Sequence, residues 1–175
     1  YLITGSKSSV YDKESWIERL VEFVRELHEL RKKLIGICFG HQLVAEALGG
    51  RVEKSPKGWG VGVHTHIFNE LPEWHDGESR EFNILVSHQD QVVQNAHGAK
   101  VLAGSDFCEN AVCQLDDHIL TFQGHPEFVP GYSRKIIEFR KEMIGEKVSR
   151  AGLESLSIAL DSLKVTKWIA NFIAP

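Results

Sequence analysis

Residues 34–42, Leu34-Ile35-Gly36-Ile37-Cys38-Phe39-Gly40-His41-Gln42, carry more structural information than any other stretch of this chain. Leu34 to Ile37 are apolar apart from one glycine and too few for a helix, so they read as a buried strand. From His41 to Leu48 the pattern turns helical, and Gly49-Gly50 supply a C-terminal stop. Gly36 and Gly40 leave room between strand and helix for a tight turn with Cys38 at its apex. The same logic underlies the G-x-S-x-G elbow that presents a serine nucleophile. A sulfur at a helix N-terminus faces backbone N–H groups and the positive end of the helix dipole, and both favour the attacking thiolate. A free cysteine is equally at home as a small buried hydrophobe. On this stretch alone the two readings of Cys38 stand even.

Working outward, Tyr1-Leu2-Ile3 reads as a strand and Gly5-Ser6-Lys7-Ser8-Ser9 as a turn-forming loop. From Lys13 to Leu30, Trp16, Leu20, Phe23, Val24 and Leu27 recur at three- and four-residue spacing, which predicts an amphipathic helix. Gly60 to His66 and Phe82 to Ser87 read as strands around a polar loop, with a weaker strand at Val101-Leu102-Ala103. Ala111 to Leu115 and His118 to Gln123 flank Asp116-Asp117 and predict a hairpin. Pro130-Gly131 opens a helix over Tyr132 to Ile144. A last amphipathic helix is expected from Leu153 to Phe172, with Leu156, Leu160, Leu163 and Ile169 on one face. Strands and helices interleave without a repeat or linker. The economical reading is one layered α/β domain over residues 1–175, a mostly parallel central sheet flanked by helices.

Composition narrows the function classes. Apolar residues at 42% and charged residues at 25% are ordinary for a globular domain, which excludes disordered and collagen-like chains. No run of 18 apolar residues predicts a membrane span, and Tyr1 to Ser6 lacks the basic and apolar regions of a signal peptide. A net charge of −4 with no Lys/Arg stripe argues against nucleic acid as partner. Cys38, Cys108 and Cys113 are odd in number and lack C-x-x-C spacing, so neither a disulfide framework nor a zinc site is expected. The expected compartment is the reducing cytoplasm.

A second stretch, Phe122-Gln123-Gly124-His125-Pro126-Glu127, follows the strand that ends the hairpin. In extended backbone, His125 and Glu127 project to the same side. A cysteine nucleophile needs an imidazole base, and the imidazole needs an acceptor to fix its tautomer; Cys38, His125 and Glu127 supply those three parts. Singly, each has a bland reading: His125 a strand-end histidine satisfied locally, Glu127 a carboxylate favoured by a helix N-terminus. Together, in matching contexts, they are hard to obtain by chance.

These residues resemble the class I (triad) glutamine amidotransferases. The resemblance rests on Gly36-Ile37-Cys38-Phe39-Gly40-His41-Gln42, on Gly124-His125-Pro126-Glu127 and on Ser87-His88-Gln89-Asp90 between them, and it covers Tyr1 to about Ile144. Within the family the chain looks most like the stand-alone GMP-synthase-like proteins, through residues 4–12, Gly58-Trp59-Gly60-Val61-Gly62 and Ser87 to Val92.

The resemblance implies a flavodoxin-like three-layer fold, N-terminally incomplete at Tyr1 because relatives have strands and a helix before that point. It implies that Cys38 attacks the glutamine side-chain amide to give a γ-glutamyl thioester. His125 then protonates the departing ammonia and activates water, while Glu127 orients it. It places an oxyanion hole at the N–H groups of Gly5 and Phe39, and Gln42, Ser87, His88 and Gln89 around the α-amino and carboxylate groups of the substrate. No cofactor or metal is implied. Ammonia would pass to a separate synthase or acceptor subunit, since no G-x-x-x-x-G-K-[ST] loop for a nucleotide is present. The same triad also suits a γ-glutamyl peptidase acting on glutathione-like compounds, and a silent binding module is the reading from a different class.

Other residues read as structural. His64 and His66 share a strand face without a third ligand nearby, Cys108 and Cys113 lie by a strand, and Trp59 reads as packing. Arg134, Lys135, Arg140 and Lys141 read as a solvated helix face.

Overall fold

The computed structural model describes residues 1–174. In chain order the elements are β1 (Leu2–Ile3), α1 (Ser15–Glu29), β2 (Leu34–Ile37), α2 (Phe39–Ala47), β3 (Arg51–Lys54), β4 (Gly60–Phe68), β5 (Glu81–His88), β6 (Asp90–Gln94), β7 (Lys100–Gly104), β8 (Val112–Leu115), β9 (Ile119–Phe122), α3 (Pro130–Phe139), α4 (Lys141–Ile144), α5 (Glu146–Ser155) and α6 (Ser162–Ile173). Seven strands form one sheet in the order β1-β2-β9-β8-β7-β4-β5, and β3 pairs with β6 in a separate ribbon.

Helices cover both faces of the sheet, as the alternation of side chains along its strands requires. Leu34 of β2 and Ile119 of β9 pack on Val24 and Leu27 of α1 and Leu43 of α2. Their neighbours Ile35, Ile37, Leu120 and Phe122 point the other way, into a core with Phe68, Phe82 and the α6 residues Val165, Trp168 and Phe172. Around β4 and β5, α3 and α5 close the remaining surface through Val61 with Ile137 and Leu85 with Leu153, joined by Leu156 just past α5. The α/β class and its layered arrangement therefore stand.

The sheet is mixed rather than mostly parallel. Only β1–β2 and β2–β9 run parallel; β9–β8, β8–β7, β7–β4 and β4–β5 are antiparallel. For β8 and β9 chain length decides the direction, because a parallel pair needs a crossover of a dozen or more residues. The α2-containing excursion after β2 is long enough, whereas Asp116-Asp117 can only reverse the chain.

The expected final helix over Leu153 to Phe172 is instead two, α5 and α6. The break is a tertiary contact: Asp161 N–H donates to Asn83 O at 2.8 Å, and Asn83 N–H donates to the Asp161 carboxylate at 2.9 Å. Re-phased by that break, α6 buries Val165, Trp168 and Phe172 and leaves Leu163 at 87% exposure, so Leu163 does not share a buried face with Leu156. The helix expected over Tyr132 to Ile144 is likewise parted at Arg140 into α3 and α4.

Candidate active site

The site begins at the turn between β2 and α2. Cys38 has φ 52° and ψ −100°, a conformation that L-residues adopt only under constraint from their surroundings. Its N–H donates to Phe122 O at 2.8 Å and its carbonyl accepts from Gln42 N at 3.1 Å, so β9 and α2 hold the turn from both sides. The turn closes because its glycines are bare. A Cβ on Gly36 would come 2.7 Å from the Gly40 carbonyl, and one on Gly40 would come 2.2 Å from Ile3 O.

His125 lies just past β9, where its N–H donates to Leu85 O at 2.8 Å. Its imidazole stacks on Phe128 with ring centroids 3.8 Å apart, and Nδ1–H donates to Glu127 Oε1 at 2.7 Å. The ring also faces Cys38: a Cβ on Gly5 would sit 2.8 Å from His125 Cε1 and 3.6 Å from Cys38 Cβ. A side chain at position 5 would strike the His125 ring, so a glycine there lets the loop lie beside both side chains. Burial alone would lower the His125 pKa, but the Cys38 thiol and the Glu127 carboxylate outweigh it and hold the pKa up at about 9. Cys38, His125 and Glu127 are brought together.

The other residues singled out by sequence line the same cleft to different degrees. Phe39 opens α2, so its N–H has no acceptor within the helix. Gln42 is buried, and its amide nitrogen donates to Asp90 O at 2.9 Å and Gln123 Oε1 at 3.0 Å, which leaves its oxygen as the free polar end. Ser87 Oγ accepts from Arg140 Nη1 at 3.2 Å. His88 is buried with Nδ1 3.0 Å from Asp90 O, and burial pushes its pKa down to about 3. Gln89 borders the cleft and accepts from Ser55 N at 3.0 Å through its own carbonyl.

Sequence reasoning missed two residues here. Asp90 accepts from Ser9 Oγ and, at 2.9 Å, from Tyr11 O–H, tying the loop that carries Gly5 to the far wall. It stands in the quoted Ser87-His88-Gln89-Asp90 stretch, so the motif itself was the signal. Arg140, expected on a solvated face, is half-buried and reaches into the cleft at the α3–α4 break. Its immediate sequence gives no sign of this. His64 and His66 stay apart from the site: His66 stacks on Phe82 and His64 sits edge-on to Phe107. Among the described residues no group of three His, Cys, Asp or Glu is arranged to hold a metal ion, and no helix is long and apolar enough to cross a membrane.

The class defined by this elbow, sheet and cleft agrees with the comparisons. Residues 2–143 match the family described as glutamine amidotransferase class-I, and the chain belongs to that family. Gamma-glutamyl peptidase 2 of Arabidopsis thaliana is 32% identical over 169 residues, covering 94% of this chain and 65% of the peptidase. The glutamine-hydrolyzing GMP synthase of Clostridium novyi is 35% identical over 128 residues, covering 72% of this chain and 24% of that synthase. The chain spans between about half and two-thirds of the length of the gamma-glutamyl peptidases it matches. A glutamine amidotransferase structure from Methylobacillus flagellatus shares the fold, with a TM-score of 0.75 at 24% identity over 97% of this chain and 71% of that one.

Proposed function

We propose that the chain cleaves the side-chain amide of L-glutamine through a γ-glutamyl thioester on Cys38, as a cytoplasmic glutaminase or the ammonia-yielding part of an amidotransferase. The observation that carries this reading is the 2.7 Å hydrogen bond between His125 Nδ1 and Glu127, which fixes the tautomer whose other edge faces Cys38. Cys38 Sγ, its proton already held by His125, bonds to the amide carbon. The tetrahedral oxyanion is met by the N–H groups of Phe39 and Gly5. The carbon–nitrogen bond then breaks as His125 returns the proton to nitrogen, releasing ammonia. Water, deprotonated by His125, attacks the thioester, giving glutamate and restoring the free sulfur beside the protonated ring. Gln42, Ser87, His88 and Gln89 hold the α-amino and carboxylate groups in this reading, and the ammonia acceptor is a separate synthase partner.

The test is mass spectrometry after treatment with a glutamine-like diazo-ketone, for wild type and Cys38→Ala. A single adduct on Cys38, suppressed by excess glutamine, is expected. A folded wild type with no Cys38 adduct would sink the reading. A second reading changes only the leaving amine, to that of a γ-glutamyl peptide. It is favoured by the 32% identity to a relative named gamma-glutamyl peptidase and by the size of the cleft.

A further inference from the structure

Two lobes meet at Cys38, sharing Ser6, Lys7, Ser87 and Arg140 in their walls. One, about 460 Å³, runs past Gln42, His88 and Gln89; the other, about 450 Å³, runs past His125, Glu127, Phe128 and Tyr132. Resting on the Cys38 thioester proposed above, whichever amine departs, the leaving nitrogen must sit where His125 can protonate it, so the leaving group occupies the second lobe. Ammonia is about the size of a water molecule, whose share of liquid volume is roughly 30 Å³. The second lobe is more than ten times larger than ammonia needs.

The chemistry of its walls is specific. Phe128 lies on His125 and Tyr132 meets Phe128 edge-on at 4.7 Å, with Ile136 beside them, giving an apolar side. Against it stands Arg140, which donates one hydrogen bond to Ser87 and lies 5.7 Å over the Trp59 ring. A guanidinium has five N–H donors, so most of its capacity is open. Among the described residues Arg140 has no carboxylate partner, while Glu127 is engaged by His125 and Asp90 by Ser9 and Tyr11. The cleft therefore presents a cation whose anionic neighbours are already engaged.

We infer that this second lobe is a subsite for an amino-acid or short-peptide leaving group, in which Arg140 recognises the free C-terminal carboxylate and Phe128, Tyr132 and Ile136 pack an apolar side chain. The substrate class is then a γ-glutamyl peptide with a free carboxylate. The thioester on Cys38 forms as before; the broken bond is the γ-peptide bond, and the proton held by His125 goes to the α-nitrogen of the departing peptide. Water then releases glutamate. An Arg–carboxylate pair is charge-assisted and bidentate, strong enough to discriminate by tenfold or more.

Glutamate release from γ-glutamylleucine, its C-terminal amide and glutamine tests this in wild type, Cys38→Ala, Arg140→Met and Arg140→Lys, with folding checked by circular dichroism. Wild type is expected to favour the free acid over the amide by on the order of tenfold in kcat/KM. In Arg140→Met the ratio falls toward one, and Arg140→Lys retains part of it. Equal turnover of acid and amide by wild type, dependent on Cys38, would overturn the subsite and leave the thioester reading intact. A ratio that survives in Arg140→Met would also overturn it. If no substrate, glutamine included, yields Cys38-dependent glutamate, the thioester reading falls and takes the subsite with it.

Discussion

At the residue scale, the site turns on how His125 holds its proton. Burial works against the imidazolium, and Cys38 and Glu127 more than offset that, so the ring keeps its proton up to a pH of about 9. A raised pKa has a definite sign: the charged ring and the stability it brings are fully present below about pH 6.5 and are lost as pH climbs through the native value. In the proposed mechanism the ring's proton is the one delivered to the leaving nitrogen, and it is lost as pH climbs through the native value. The alkaline limb of kcat/KM for glutamate release is therefore expected near pH 9, and Glu127→Gln is expected to move it toward lower pH while lowering the rate by about a hundredfold, typical of impaired acid–base chemistry. A pH–rate profile of both proteins checks this, and an unmoved limb would mean that Glu127 does not hold the proton on His125. Cys38, His125 and Glu127 were legible because each sits in a short motif whose local geometry is set by its own glycine or proline. Arg140 was not, because its direction depends on a helix break and on Ser87, 53 residues away.

At the element scale, the strand-to-helix elbow is a contact between backbones. Alanine at position 40 would bring Cβ to 2.2 Å from Ile3 O, and a carbonyl of β1 cannot swing aside as a flexible side chain can. Helix propensity alone favours alanine over glycine by about 1 kcal/mol, so the sign of Gly40→Ala separates the two effects. A loss of about 2 kcal/mol is expected from overpacking, read as a lower urea midpoint at unchanged slope. A gain would show that β1 yields and that the close approach is not what holds the turn. The elements that sequence located well, α1, β2, α2 and the β8–β9 hairpin, are those whose periodicity is strong and whose stops are local. β3 and β6 escaped because only one or two residues of each are buried; they are polar strands that pair with each other. The α5–α6 break escaped because Asp161 ends the run by bonding β5, a partner that no local pattern reveals.

At the scale of the whole molecule, interleaved strands and helices identified an α/β layering but could not order the sheet, since strand order and direction are decided by which distant edges meet. That layering buries histidines as well as hydrophobes. His41 and His66 have pKa values pushed down to about 4 and His88 to about 3, all mainly by burial, so the folded chain keeps them neutral. The unfolded chain protonates them near pH 6.5, so below that it binds protons the native state refuses, and stability must fall with pH. Each contributes a slope of about 1.4 kcal/mol per pH unit, and the three together about 4 kcal/mol per unit, until their native pKa values are reached. Against a total stability of about 5–15 kcal/mol, a slope of that size is a large fraction of what holds the domain folded. Urea unfolding followed by tryptophan fluorescence between pH 7 and 5 is expected to show this steep acid dependence. His66 offers the separating variant: it stacks on Phe82 at 5.2 Å, and its buried Nδ1 has no hydrogen-bond partner. His66→Phe keeps the aromatic contact and removes the titration, so it should flatten the slope by about a third and cost little at pH 7. A slope unchanged in that variant would mean that the acid sensitivity resides in groups other than the buried imidazoles.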